Sequence, residues 1–400
     1  MGIKFIFKSL FMLATVLISA SCANDDVYNP DNTRNTGDLK VPANFDWTTS
    51  RTVTTSITSP SDAQISIYSD KDCKDSQLLA EVFVSKAKAT EVSLDLPNSS
   101  EGYYIKYPTK NGFKVMPVKT TVTRAADDTI ALPEDTGENG YNDYIDYHYL
   151  PAKDTYGMIM FEDLFPAKGD YDFNDLVAGY NVCVNTTRGS GNKFNDGVTI
   201  KLQIRAIGGS KPYRLGVEFT SLQTKYVRDN YTIIPQAEGI NMELISKNDD
   251  DPAVFVITGT NKFKEGSFYN TEKLSDTEMP EIICKIERNN FNDVVPAGQF
   301  LALSNPYNIN FFLQNTQSNE EIHLKGYSVT KLASNADDKF HTTDNFVWGM
   351  KLPKVIPHAT ERTDFTEAYP KFAAWVTSGG TQNHNWYNTH VDGKVINPDK

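Results

Sequence analysis

The chain has 400 residues, of which 39% are apolar, 22% charged and 12% aromatic, and its 39 Lys and Arg against 51 Asp and Glu leave a formal charge of -12. That composition can bury a substantial core, which excludes wholesale disorder and a polytopic membrane protein, and the length suits two domains or one large all-β fold. The acidic balance disfavours nucleic acid and anionic lipid surfaces as partners and suits cations.

Residues 1–21 carry Lys4 and Lys8, then an apolar run to about Ala20, then small residues before Cys22. This is the pattern of a secretory signal. The run is short for a membrane span, and no later segment approaches the roughly 18 apolar residues a span needs. Ser19-Ala20-Ser21-Cys22 resembles a bacterial lipobox, with Ser19 where Leu is usual, which implies acylation of Cys22. Ala23-Asn24-Asp25-Asp26 resembles the acidic motif that sends Bacteroidetes lipoproteins to the cell surface. The expectation is an outer-membrane lipoprotein, surface-exposed, on a flexible tether over residues 22–40 that is rich in Asn and Asp. Loss of the two signal lysines takes the net charge from -12 to -14.

Over residues 41–123, short β-branched and aromatic runs such as RTVTTSITS, AQISIYS and EVSLDLP alternate with Ser, Asp, Pro and Gly. They predict a small N-terminal β-sandwich, immunoglobulin-like or transthyretin-like. Residues 124–155 are acidic and tyrosine-rich and read as a connector, although Tyr141, Tyr144, Tyr147 and Tyr149 could also line a sugar platform. From 156 to 396 longer strands follow. Val198, Ile200, Leu202 and Ile204 alternate with Thr199, Lys201, Gln203 and Arg205, as in an antiparallel sheet with one wet face. A larger antiparallel sandwich or jelly roll is expected, with a short C-terminal helix through Phe365, Tyr369, Phe372 and Trp375, interrupted at Pro370. Cys73, Cys183 and Cys284 are too sparse for a disulfide framework, and Cys183 and Cys284 fit buried thiols in strands.

One segment concentrates oxygen ligands: FEDLFPAKGDYDFNDLV, residues 161–177. Asp170, Asp172 and Asn174 share a face if the chain is extended, and must curl to meet on one ion. Calcium takes six to eight hard oxygens, so Asp170, Asp172, Asn174 and Asp175, completed by Glu162 and Asp163, form a candidate calcium site. A helix-loop-helix calcium hand does not fit, because Asp175 stands where Gly is required and Asn181 where Glu is required. The other reading is an ordered turn, in which Asp and Asn bond their own backbone. Phe-Asn-Asp recurs at 194–196 and 291–293, a weak repeat that fits turns before strands.

FEDLFPAKGDYDFNDLV resembles the signature of the LruC-domain family of bacterial outer-membrane lipoproteins, whose C-terminal domain has no known function. EIHLKGYSVTKLA at 321–333, WGMKLPKVIPHATERTDFTEAYPKFAAWVTSGG at 348–380 and NHNWY at 383–387 follow in the family's order. The resemblance implies a lipid-anchored, all-β envelope protein and supplies no reaction or ligand.

No catalytic constellation is legible. His148, His323, His341, His358, His384 and His390 are scattered, and His323 reads as a satisfied histidine beside a strand. The expectation is a non-enzymatic binding or structural module with a protein or glycan partner. A surface glycan-binding protein is the alternative, with Trp375, Trp386 and Tyr387 either a platform or a core plug. A fimbria-like assembly subunit, which would need a donated strand or open sheet edge, is a further reading.

Overall fold

Alternation of apolar and polar residues recurs in short runs along the chain, and the regular structure it forms is mostly strand with a few short helices. The computed structural model describes residues 35–120, 129–139, 145–187, 196–209, 211–234, 239–266, 268–288, 297–336 and 339–399. The signal, Cys22, the acidic motif after it, most of the tether, Tyr141, Tyr144, Phe194, Asn195 and residues 291–293 lie outside those described.

The first half contributes β1 (Ser50–Thr58), β2 (Ala63–Tyr68), β3 (Leu78–Val84), β4 (Thr90–Pro97), β5 (Gly102–Thr109), β6 (Gly112–Lys119), β7 (Thr129–Ala131) and β8 (Ile145–Leu150). Then come β9 (Gly157–Phe161), β10 (Leu176–Thr187), β11 (Gly197–Ala206), β12 (Tyr213–Gln223), β13 (Tyr231–Ile234), β14 (Asn241–Leu244), β15 (Pro252–Thr258) and β16 (Ile282–Glu287). β17 (Ile309–Asn315), β18 (Glu321–His323), β19 (Gly349–Leu352), β20 (His358–Ala359) and β21 (Val395–Ile396) complete the set. The fold is all-β, as expected. Every pairing between these strands is antiparallel except the short parallel contact of β7 with β1.

The sheet β4-β1-β7 packs on β2, β3 and β5 through Ile57, Leu94, Leu96, Ile65, Val82 and Ile105. The five-stranded sheet β14-β15-β12-β17-β18 packs on β10, β11 and β16 through residues such as Val217, Phe255, Phe311, Val182, Ile200 and Cys284. Both are sandwiches in which one apolar face of each sheet meets the other. They share one eleven-stranded sheet, because β8 pairs with β3 on one side and β10 on the other. β8 lies inside the stretch read as a connector, and its Tyr147 and Tyr149 rings stack at 6.3 Å.

β9 is buried on both faces. Ile159 and Phe161 join the sandwich core, while Met158 and Met160 meet a separate aromatic cluster. That cluster gathers α1 (Phe365–Ala368) and α2 (Phe372–Thr377) with Phe45 and Trp47 from the N-terminal segment. The two helices break at Pro370 as expected, and Asp364 caps α1 by accepting the Thr366 N–H at 2.9 Å. Asp364 also accepts both the N–H and the hydroxyl of Thr36 at 2.7 Å, which ties the N-terminal segment to this helix. Trp375, Trp386 and Tyr387 are buried here, so they form core and no glycan platform. Cys73, Cys183 and Cys284 are free thiols, with Cys284 buried and the other two half-buried.

Trp375 packs edge-on against Phe45 at 4.8 Å and lies 5.4 Å from Trp386. Trp375→Ala should therefore lower unfolding free energy by about 3–5 kcal/mol in a denaturant titration. A loss below about 1 kcal/mol would show that the aromatic cluster is not a stabilising core.

Candidate metal centre

β9 and β10 pair antiparallel, and residues 162–175 form the loop between them. Its first residue organises it. The Glu162 N–H donates to the Trp348 carbonyl at 2.8 Å, extending the β9–β19 pairing, and its side chain is fully buried. The two carboxylate oxygens accept the N–H groups of Tyr171 at 3.3 Å and Phe173 at 2.6 Å. Tyr171 and Phe173 both have left-handed backbones, with φ of 57° and 52°. Aromatic residues pay about 1–2 kcal/mol each for that conformation. Two left-handed residues alternating with Asp170, Asp172 and Asn174 curl the segment out of the extended form, while both rings enter the aromatic core.

The curl brings carboxylates together. One oxygen from each of Glu162, Asp170 and Asp172 lies within 4.8 Å of the others, with Glu162 and Asp172 buried and Asp170 exposed. Asp172 accepts the N–H groups of Asn174 at 3.1 Å and Arg362 at 2.8 Å. Asp163 and Asp175 make an adjacent pair: the Asp163 N–H donates to Asp175 Oδ2 at 2.6 Å, and Asp163 Oδ2 accepts the Lys211 N–H at 2.9 Å. Asn174 donates its amide to the Ala359 carbonyl at 3.2 Å, which points Oδ1 elsewhere.

Among the described residues, neither the buried Asn174 Oδ1 nor the buried Glu361 Oε2 has a hydrogen-bond partner. Both face one point, because a Cβ on Gly208 would lie 2.2 Å from Asn174 Oδ1 and 3.0 Å from Glu361 Oε2. A Cβ on Gly209 would lie 2.6 Å from Asp163 Oδ2. The glycine pair lets the backbone approach this closely, and its N–H groups donate to the Asn174 and Asp175 carbonyls at 3.0–3.1 Å.

Burial, followed by the charges of Asp175, Asp172 and Asp170, holds Glu162 well above the usual carboxylate range. Asp172 is pushed up to about 7, by burial first and Asp170 second. Asp175 is pushed up to about 8, by burial and then Asp163. Glu361 is raised by burial and by Asp170. Arg362 reaches Glu361 Oε1 only at 4.0 Å, on a largely exposed side chain. Carboxylates in such surroundings hold protons or share a cation, and the donor set of carboxylate and amide oxygens is that of calcium.

All six residues expected from sequence are thus in the loop, in three roles. Glu162, Asp170 and Asp172 converge; Asp163 and Asp175 pair beside them; Asn174 turns its oxygen toward Gly208 and Glu361. Glu361 and the glycine pair carried no ligand-like spacing and were missed. His323 is satisfied as expected, its ring nitrogens 2.9 Å from Asn310 Oδ1 and 3.0 Å from Glu321 Oε2.

Residues 196–387 match the model of a domain of unknown function, DUF4842, and residues 63–132 match another, DUF4841. A crystal structure of a Bacteroides ovatus protein, provisionally named a lipoprotein, superposes with a TM-score of 0.63 at 22% identity. The match covers 84% of this chain and 99% of that one, and it shows a shared fold. No functionally curated protein matches the chain.

The raised carboxyls give a pH prediction. A group with a higher pKa in the folded state favours folding while it is protonated and loses that contribution as pH rises through the folded value. In chelator, the thermal midpoint should fall as pH rises from about 4, where these carboxyls ionise in the unfolded chain, to the folded values of about 7 for Asp172 and about 8 for Asp175, and level off above them. Asp175→Asn should flatten the upper part of that fall; a midpoint independent of pH over the interval would contradict the assigned environments.

Proposed function

We propose that this protein is a lipid-anchored envelope protein of LruC type, held at the outer membrane through acylated Cys22 and exposed at the cell surface. Its large β domain acts as a non-catalytic binding or structural module, and calcium closes the acidic loop. The anchoring reading is supported by the signal-like residues 1–21 ahead of Cys22 and by the name of the Bacteroides ovatus protein with the same fold. The observation that carries the calcium reading is the buried Asn174 Oδ1, without a partner among the described residues, on the same loop as a carboxylate cluster. Asp170, Asp172 and Glu162 would supply charge, and Asn174 and Glu361 neutral and peripheral oxygens.

The loop's role is structural in this reading, because its side chains are locked by backbone N–H groups at one end of β10. Closing it fixes the connection between the β-sandwich and the aromatic core, and leaves the outer surfaces free for a protein or glycan partner. Nucleic acid is disfavoured by the charge of -12.

The thermal midpoint in calcium and in chelator tests the ion. Stabilisation of about 2.7 kcal/mol is expected at a hundredfold excess over the dissociation constant, and Asp170→Ala with Asp172→Ala should abolish it. Equal midpoints, with no calcium bound in equilibrium dialysis, would leave the loop as a turn ordered by its own hydrogen bonds. For the anchor, Cys22→Ser should move the protein from the membrane fraction to the soluble fraction; unchanged membrane association would refute acylation as the tether.

A further inference from the structure

The N-terminal sandwich ends in a strand that is barely covered. β6 is the last strand of the eleven-stranded sheet, and among the described residues the strand it pairs with is β5 alone. Val118 is buried in the sandwich core and Met116 packs against it, while Gly112 to Val115, Pro117 and Lys119 are exposed. The tip of the hairpin thus reaches beyond the core. Phe113 is 63% and Val115 43% exposed, and at a spacing of two they stand on one face of the strand.

Register decides which backbone groups face the open edge. Along an antiparallel strand, residues alternate between bonding the neighbour and pointing away from it. The Thr120 N–H donates to the Glu101 carbonyl at 3.0 Å, one step past the Gly102–Lys119 pair, so even-numbered residues of β6 bond toward β5. Opposite Phe113, the Pro108 carbonyl accepts the Gly137 N–H at 2.9 Å and so points away from β6, which agrees. Phe113, Val115, Pro117 and Lys119 therefore turn their backbone groups outward, and all but Pro117 present an N–H there.

An open edge pairs with other strands unless something selects among them. Here the selection is charge. Residues 102–120 hold Lys106, Lys110, Lys114 and Lys119 and no acid, in a chain whose formal charge is -12. The Lys106 ammonium lies 5.2 Å from the centre of the Phe113 ring, and Lys114 is paired with Asp135. A second copy would set one lysine-rich strand against another, which like charges oppose. A strand that carries acids meets no such obstacle.

We propose that β6 receives an extended, acidic segment of a partner protein as an added strand, bonded to the backbone of Phe113 and Val115. Apolar side chains on one face of that segment cover Phe113 and Val115, and its acids meet Lys110, Lys114 and Lys119. The inference extends the reading of this protein as a binding module to the N-terminal sandwich, and it uses nothing from the acidic loop.

The probe is a capped peptide of alternating Val and Glu, eight residues long like β6. Titrated into the full chain, it should bind with a Kd below about 1 mM, and hydrogen exchange at the Phe113 and Val115 N–H groups should slow. Val115→Pro removes an outward donor at a position where an edge strand tolerates proline, so it should keep the thermal midpoint and weaken binding by about tenfold or more. Lys110→Gln with Lys119→Gln should weaken binding by about fivefold, as should added salt. No binding up to about 1 mM, or unchanged exchange at Phe113 and Val115, overturns the proposal. Binding that survives Val115→Pro and is displaced by heparin would make the hairpin a polyanion site instead. A dimer of the full chain that Val115→Pro dissociates would make a second copy the occupant. The titration is run in chelator, so its failure leaves the calcium reading intact, and a missing calcium effect on the midpoint leaves this one intact.

Discussion

The buried Glu162 carboxylate is the constraint on which the centre of the molecule depends. Leaving β9, it accepts the N–H groups of Tyr171 and Phe173 and so closes the loop back on its own start. A buried carboxylate costs several kcal/mol unless it is hydrogen-bonded, neutralised or protonated. Here the two N–H donors offset part of that cost, and in return the two left-handed residues are held in a conformation they would not adopt alone. The same residues place their rings in the aromatic core, with Phe173 5.4 Å from Phe365 and Tyr171 5.2 Å from Phe346. Loop closure and core packing are therefore one event.

That coupling extends through β9 and β10 to both halves of the chain. β9 contributes alternate residues to two cores, so a shift of one residue in its pairing would exchange Met158 and Met160 with Ile159 and Phe161. β10 then pairs with β9 along its first part and with β8 along its second. Through β8 the ladder continues into β3, and the N-terminal segment returns to the aromatic cluster with Phe45 and Trp47. The Trp47 indole N–H donates to the Asn345 carbonyl at 2.7 Å, and Asn345 in turn donates to the Pro42 and Phe45 carbonyls. Hydrogen bonds spanning about three hundred residues of sequence thus join chain segments that composition alone divides into separate modules.

What was legible in the sequence is what depends on local periodicity and chemistry. Alternation at Val198, Ile200 and Leu202 marked a strand with one apolar face, and all three are buried. Arg205 departs from the pattern: it is buried and paired in bidentate fashion with Asp399, a partner near the other end of the chain. Asp364 and Pro370 marked the start and break of the terminal helices because capping and the missing proline N–H act within a few residues. The acidic loop was legible for the same reason, as a density of oxygen donors. Glu361 was not, since a lone acid among polar neighbours gains meaning only when Gly208 brings it against Asn174. The open edge of β6 was equally silent, because which backbone groups it turns outward is a matter of register with β5.

Buried acids are treated in two opposite ways. Between β4 and β19, Asp95 faces Lys351 at 3.4 Å, so the charge is balanced by the protein itself. In the loop, burial and neighbouring acids raise Glu162, Asp172 and Asp175 above the usual carboxylate range, with Arg362 a distant and exposed counter-charge. Protonation would relieve the repulsion, and a proton on Glu361, whose Oε2 faces the same point as Asn174 Oδ1, is placed to bond that amide oxygen as well. A divalent cation addresses both deficits at once, since it takes charge from the carboxylates and a neutral oxygen from the amide. Protonation and a bound cation are therefore two ways of meeting the same deficit of positive charge around this loop.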